Sequence, residues 1–180
     1  MCVSIVLIAV ASWQMCYGGP DTAVTDLWDM SHTLKSICNG RRTLIFLGDP
    51  GLITCREGAV YFDSKAGRVE ARKIRPVCLF IGDPEAVRTY VLALHLEIPV
   101  YIDPEGRAYE ALFNQKVLPA MALLDGEGNV VRTIHGGGQS LANNLEIILR
   151  EQEAQKKEPG NDVLLTMIQS VIITVLLSLN

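Results

Sequence analysis

Two nearly unbroken apolar runs, residues 43–47 (TLIFL) and 77–81 (VCLFI), constrain this chain most. Side chains of a strand alternate between its two faces, so a strand apolar at both must be covered on both. Each run is followed by Gly-Asp-Pro: Gly48-Asp49-Pro50 and Gly82-Asp83-Pro84. After the second, Asp83 suits an N-cap, Pro84 the first helical position and Glu85 the positive end of the helix dipole. Val87, Tyr90, Val91 and Leu94 then fall at i, i+3, i+4 and i+7 and give one apolar face.

Further along, residues 100–102 read as a small strand, and Asp103-Pro104-Glu105 as the start of a helix carrying Ala108, Ala111 and Leu112. Residues 120–124, the turn Asp125-Gly126-Glu127-Gly128-Asn129 and residues 130–134 form a hairpin by spacing and turn chemistry. A closing helix starts near Ser140 and turns Leu141, Leu145, Ile148 and Leu149 inward. Strand, helix, strand, helix, hairpin and helix make an α/β sandwich with a mixed sheet.

The 180 residues suit one domain with appendages. Hydrophobic residues reach 49% and charged residues 20%, which excludes a disordered tail or a fibrous repeat. A net charge of −4 and dispersed basic pairs argue against nucleic-acid binding. Residues 1–20 hold an apolar run with Ala9-Val10-Ala11 behind it and no Lys or Arg ahead of it. They read either as an export signal or as a buried N-terminal element. Residues 154–162 form a charged linker, and residues 163–180 an apolar segment. Its residues 163–179 would reach about 25 Å as a helix, enough to cross a thin hydrocarbon core or to pack on the domain or a partner. The two ends conflict, an export signal placing the domain outside and a tail anchor with Lys156-Lys157 inside placing it in the cytoplasm, but either favours an exported or membrane-associated protein over a freely soluble cytoplasmic one.

The five cysteines, at 2, 16, 38, 55 and 78, show neither a C-x-x-C spacing nor a Cys/His cluster fit for a metal. Cys78, inside an apolar run, reads as a core residue, and Cys38, next to Asn39-Gly40, as a surface or half-buried thiol. His32, His95 and His135 are dispersed, so each reads as a surface residue. Gly136-Gly137-Gly138 lacks the context of a phosphate loop. No cofactor is implied.

Residues 114–138, NQKVLPAMALLDGEGNVVRTIHGGG, resemble the second half of a thioredoxin-fold redoxin. The resemblance is to TlpA-type thiol-disulfide reductases and to peroxiredoxin-like proteins of the alkyl hydroperoxide reductase/thiol-specific antioxidant group. Both carry a Val-Pro, an apolar strand, Asp, a Gly turn, a second strand and Gly. The preceding Ile98-Pro99-Val100-Tyr101-Ile102-Asp103-Pro104-Glu105-Gly106 is similar to the "FPVLLDPDG" segment of the same group. The resemblance implies a thioredoxin-like three-layer sandwich with a mixed central sheet over residues 27–153. It also matches Pro119 to the family's cis-proline, beside the active-site turn and the groove for an extended substrate.

In that family the turn after the first central strand reads roughly F-W-A-x-W-C-x-x-C-R-x-E. Here it reads Leu47-Gly48-Asp49-Pro50-Gly51-Leu52-Ile53-Thr54-Cys55-Arg56-Glu57. Cys55-Arg56 falls on the family's C-R, so Leu52 stands where the attacking cysteine belongs and Cys55 has nothing to resolve. A second frame comes from local physics. Thr54 to Glu57 is a capping box that makes Cys55 the first helical residue, where free amides and Arg56 favour a thiolate. The peroxiredoxin pattern P-x-x-x-T-x-x-C fits Pro50 and Thr54 but meets Glu57 at its cysteine. Cys55 is therefore a structural thiol, a lone reactive thiol, or half of a disulfide. Cys38 is a poor partner for it, because a five-residue strand between them spans roughly 16 Å against a needed Cα separation under about 7 Å.

Three functions compete. The first is an oxidoreductase working through Cys55 as a monothiol, with an external thiol donor such as glutathione to release a mixed disulfide. The second is a redox-inactive module that binds protein or peptide beside Pro119 through Leu52, Ile53, Thr54 and Leu118, where apolar Leu52 and Ile53 invite contact. The third is a structural domain tethered to a membrane by residues 163–180.

Overall fold

A computed structural model describes residues 21–113 and 117–157, with side chains to residue 151. The apolar segments 1–20 and 163–180 and residues 158–162 of the linker lie outside it, as do residues 114–116. In chain order the elements are β1 (Ala23–Asp26), β2 (Ser31–Thr33), α1 (Leu34–Cys38), β3 (Thr43–Gly48), α2 (Ile53–Ser64), α3 (Ala66–Glu70) and β4 (Arg75–Ile81). There follow α4 (Pro84–Leu94), β5 (Val100–Asp103), α5 (Arg107–Leu112), β6 (Ala120–Leu124), β7 (Val130–His135) and α6 (Gln139–Lys157).

The two apolar runs are β3 and β4, parallel neighbours at the centre of one sheet ordered β2-β1-β5-β4-β3-β6-β7. β5 extends the parallel set beyond β4, and β6 pairs antiparallel with β3. β7 pairs with β6, and β1 with β5 and β2, all antiparallel. Every residue of β3 is buried. Its alternation feeds two cores: Leu44 and Phe46 pack with Phe62, Phe80, Tyr90, Leu145 and Ile148 on one face, while Ile45 and Leu47 pack with Ile37, Leu112 and Phe113 on the other. Helices α2, α3, α4 and α6 thus cover one side, and α1 and α5 the other. The fold is the mixed-sheet, three-layer sandwich that the pattern of elements implies.

Local expectations hold where local chemistry decides. The Asp83 carboxylate accepts from Ala86 N at 3.0 Å with Pro84 just inside α4. Asp125 ties the 124–130 turn by accepting from Glu127 N and Asn129 N, both at 2.9 Å. Three expectations need correction. α5 begins at Arg107 rather than near Asp103, because Asp103 stays in β5 and its buried carboxylate reaches forward to Tyr109 N at 2.9 Å. Cys38 closes α1 and is fully buried, since Ile37 and Cys38 turn under the sheet before Asn39 and Gly40 break the helix with positive φ. α6 continues to Lys157, through the first residues of the segment read as linker. The cysteines at 38, 55 and 78 are all free and buried.

Candidate functional site at the C-terminal end of the parallel strands

β3, β4 and β5 all end at one edge of the sheet, at Gly48, Ile81 and Asp103. β6 starts at the same edge, Ala120 opposite Leu47 and His135 opposite Ala120. The turn after β3 is organised by Asp49. Its carboxylate accepts from Gly51 N at 2.7 Å, and its carbonyl from Leu52 N at 3.0 Å. This turn sets the helix boundary, so Leu52 is the N-cap of α2, with no side-chain cap bond. The Thr54–Glu57 box therefore does not form. Two residues too late for the helix start, Thr54 lies inside α2, and Cys55 is its third residue.

That shift changes the chemistry expected of Cys55. Its side chain points down into the sheet and is 0% exposed. Gly48 makes room for it: a Cβ built on Gly48 would stand 3.1 Å from Cys55 Cβ and from a Phe46 ring carbon, and 3.2 Å from Phe80. Burial pushes the Cys55 thiol up from its ordinary value, against the expectation of a depressed pKa. A hydrogen bond from the Asp49 backbone and one with Thr54 oppose the rise, while the Asp49 charge adds to it. Desolvation outweighs the helix end because the sulfur sits under the first turn and not in front of it. Tyr90, stacked edge-on against Phe80 at 5.1 Å, is near enough to feel both Cys55 and Cys78, and its buried hydroxyl has no hydrogen-bond partner.

The Leu118–Pro119 peptide bond is cis. Pro119 and the first turn of α2 meet at Gly137. A Cβ placed there would lie 3.3 Å from two Pro119 ring carbons and 3.6 Å from Thr54 Cβ, and Gly136 N donates to Pro119 O at 3.0 Å. The segments carrying Cys55 and Pro119 are thus side by side at one rim of the sheet. Leu52 and Leu118 line a cleft of about 560 Å³ together with Ile81, Tyr109, Val117, Gly106, Glu105 and Glu110. Ile53 is 72% exposed beside it and Leu52 43% exposed within it. The sequence reading missed Ile81, Tyr109, Glu105, Glu110 and Val117 as cleft residues. Gly82, at φ 134 after β4, marks the strand end from which Ile81 reaches the cleft.

His32, His95 and His135 remain apart. His32 bonds Asp26 at 3.0 Å, His95 caps α4 at positive φ, and His135 packs on Phe113 at 5.2 Å with its Nδ1 buried and unpartnered. Among the described residues no group of His, Cys, Asp and Glu could hold a metal ion.

No protein-family model matches the chain, and no curated protein matches it in sequence. Solved structures do match. A putative thiol:disulfide interchange protein DsbE from Chlorobium tepidum superposes with a TM-score of 0.62 at 18% identity, over 74% of this chain and 94% of that one. Peroxidoxin BcpB from Mycobacterium tuberculosis gives 0.63 at 14% identity, over 76% and 94%. A secreted Mycobacterium tuberculosis disulfide oxidoreductase gives 0.56 at 16% identity, over 73% and 96%. At such identities the likeness speaks for architecture alone, and together with the strand order and the adjoining turns it establishes that this chain has a thioredoxin-like fold.

Proposed function

We propose that this domain binds an extended apolar stretch of a protein or peptide in the cleft beside Pro119, and that it does so without turning over disulfides. One observation carries the reading. The sulfur at the expected rim is sealed under α2 with its pKa raised, while Leu52, in the place of an attacking cysteine, is exposed in an apolar cleft. A buried, protonated thiol is a poor nucleophile, whereas Leu52, Ile53, Val117 and Leu118 offer surface that a ligand would cover. Leu52 and Leu118, the latter next to the cis Pro119, would form the wall against which an extended backbone lies. The relatives in fold are described as thiol:disulfide interchange and oxidoreductase proteins, one of them secreted, which supports a protein ligand and an exported location.

The test uses a generic unfolded ligand, a reduced and carboxymethylated protein, titrated against the folded chain. Cys55→Ala should leave binding within about twofold, and Leu52→Asp or Leu118→Asp should weaken it at least tenfold. If capture is lost in Cys55→Ala, or needs a ligand thiol or disulfide, the monothiol oxidoreductase is the correct reading instead.

A further inference from the structure

The cleft beside Pro119 is not uniformly apolar. Leu52, Ile81, Val117 and Leu118 share its lining with Glu105 and Glu110, and no Lys, Arg or His is among the described residues that line it. Glu105 lies in the turn after β5 and Glu110 in the first turn of α5, so one short stretch of backbone carries both carboxylates, and both residues are exposed. Glu105 pairs with Arg107, whose side chain is 72% exposed and outside the lining. An exposed pair of this kind contributes little and gives way to a competing cation. Arg56 and Arg88, on α2 and α4, also lie outside the lining, and Arg88 is bound by Asp29 and Glu85.

These two carboxylates exceed what the fold needs at this end. Helices α2, α4 and α5 all begin here, and the free N–H groups of a first turn carry partial positive charge. Each start already has a carboxylate of its own. Asp49 accepts from Gly51 N at 2.7 Å ahead of α2, Asp83 from Ala86 N at 3.0 Å in α4, and Asp103 from Tyr109 N at 2.9 Å in α5. Bases crowd the far end of the sheet instead. Arg41 and Arg42 precede β3, Arg72 and Lys73 precede β4, and Arg75 opens it. Arg42 O accepts from Arg75 N at 2.8 Å, which sets the two groups side by side. The net charge of −4 is thereby divided into a basic end and an acidic end, and the cleft opens at the acidic one.

On the reading of the cleft as a peptide site, on which this inference rests, we propose that the held segment is basic as well as apolar. A Lys or Arg stands next to the apolar residues that cover Leu52 and Leu118, and its cation is set against Glu105 and Glu110. Long basic side chains suit such a place, since the methylene stem lies along apolar surface while the charged head reaches a carboxylate. A cleft of one sign between low-dielectric walls also focuses its field, which speeds the capture of a cationic ligand and turns away an anionic one.

The test titrates the full chain with three fluorescein-labelled peptides that share one apolar core and carry Lys, Ser or Glu on both sides of it. At low salt the Lys peptide should bind about tenfold more tightly than the Glu peptide, with the Ser peptide between them. That ratio should fall below about threefold at roughly 300 mM salt. It should fall equally in the double variant Glu105→Gln, Glu110→Gln, which keeps the shape of the rim, while Leu52→Ser should weaken all three peptides. Equal affinity for the three peptides, with the loss in Leu52→Ser retained, would overturn the basic ligand and leave the apolar cleft standing. A preference for Lys that survived the double variant would have its cause elsewhere and would overturn it too. If no peptide bound, or if Leu52→Ser changed nothing, the peptide site itself would fall and the basic ligand with it.

Discussion

Cys55 should be chemically silent in the folded protein, by a margin that can be worked out. Its pKa lies above that of an ordinary thiol because of burial, so at pH 7 less of it is thiolate than in the unfolded chain. Ionisation alone thus slows alkylation. Access multiplies this. The sulfur is fully buried where the first turn of α2 packs on the Gly48 end of β3. A local opening of about 3 kcal/mol, well inside the range for packed segments, contributes a further factor of about 150. Iodoacetamide should therefore modify Cys55 more than about 100 times more slowly than in the unfolded chain. The assay is a time course from pH 6 to 10, resolved by peptide mass, with Cys78, buried in the middle of β4, as the slow internal standard. Modification of Cys55 at the unfolded rate at pH 7, or a midpoint below pH 8, would refute both the packing argument and the redox-silent reading.

Two further outcomes follow from the same structure. Burial raises the thiol pKa values of Cys38, Cys55 and Cys78. A folded pKa above the unfolded one means the native state keeps protons that the unfolded state releases. This contribution is therefore complete below about pH 8.5 and is lost as pH rises beyond it, at up to about 1.4 kcal/mol per pH unit for each thiol. Urea midpoints measured from pH 8 to 10.5 should fall, and a flat profile would contradict the burial. Gly126→Ala should destabilise by about 2 kcal/mol. Its Cβ would come 2.7 Å from the Gly40 carbonyl, which is backbone and cannot rotate aside, and the Gly40 N–Gly126 O bond would suffer. Thermal unfolding measures this, and an unchanged midpoint would show that the two turns yield freely.

What the sequence made legible was what short-range chemistry decides. The runs at β3 and β4 could be placed because a strand buried on both faces leaves no polar alternative, and α4 because Asp83, Pro84 and Glu85 agree on one start. β1 and β2 left no such mark. AVTD and SHT are short and mostly polar, Val24 is the one buried hydrophobic residue among them, and the hairpin is held by Asp26 reaching along its own turn. The start of α2 was misread because Thr54–Glu57 fits a capping box, while Asp49, five residues earlier, closes the turn first. The ionisation of Cys55 was misjudged for a similar reason. Nearness to a helix start is visible in sequence, but the burial that overrides it comes from the packing of the first turn of α2 on the Gly48 end of β3. The cleft, too, joins Leu52 to Tyr109 and Glu110 only because β5 lies beside β4.

An apolar side chain at Leu52, where the resemblance places an attacking cysteine, would replace covalent capture by non-covalent capture at the same spot. The strength of that capture is bounded. Covering the exposed parts of Leu52 and Ile53 would contribute about 2 kcal/mol, roughly a 30-fold gain, at the usual value for burying such side chains. Such a contact is transient unless more of the cleft is filled or the ligand is held nearby.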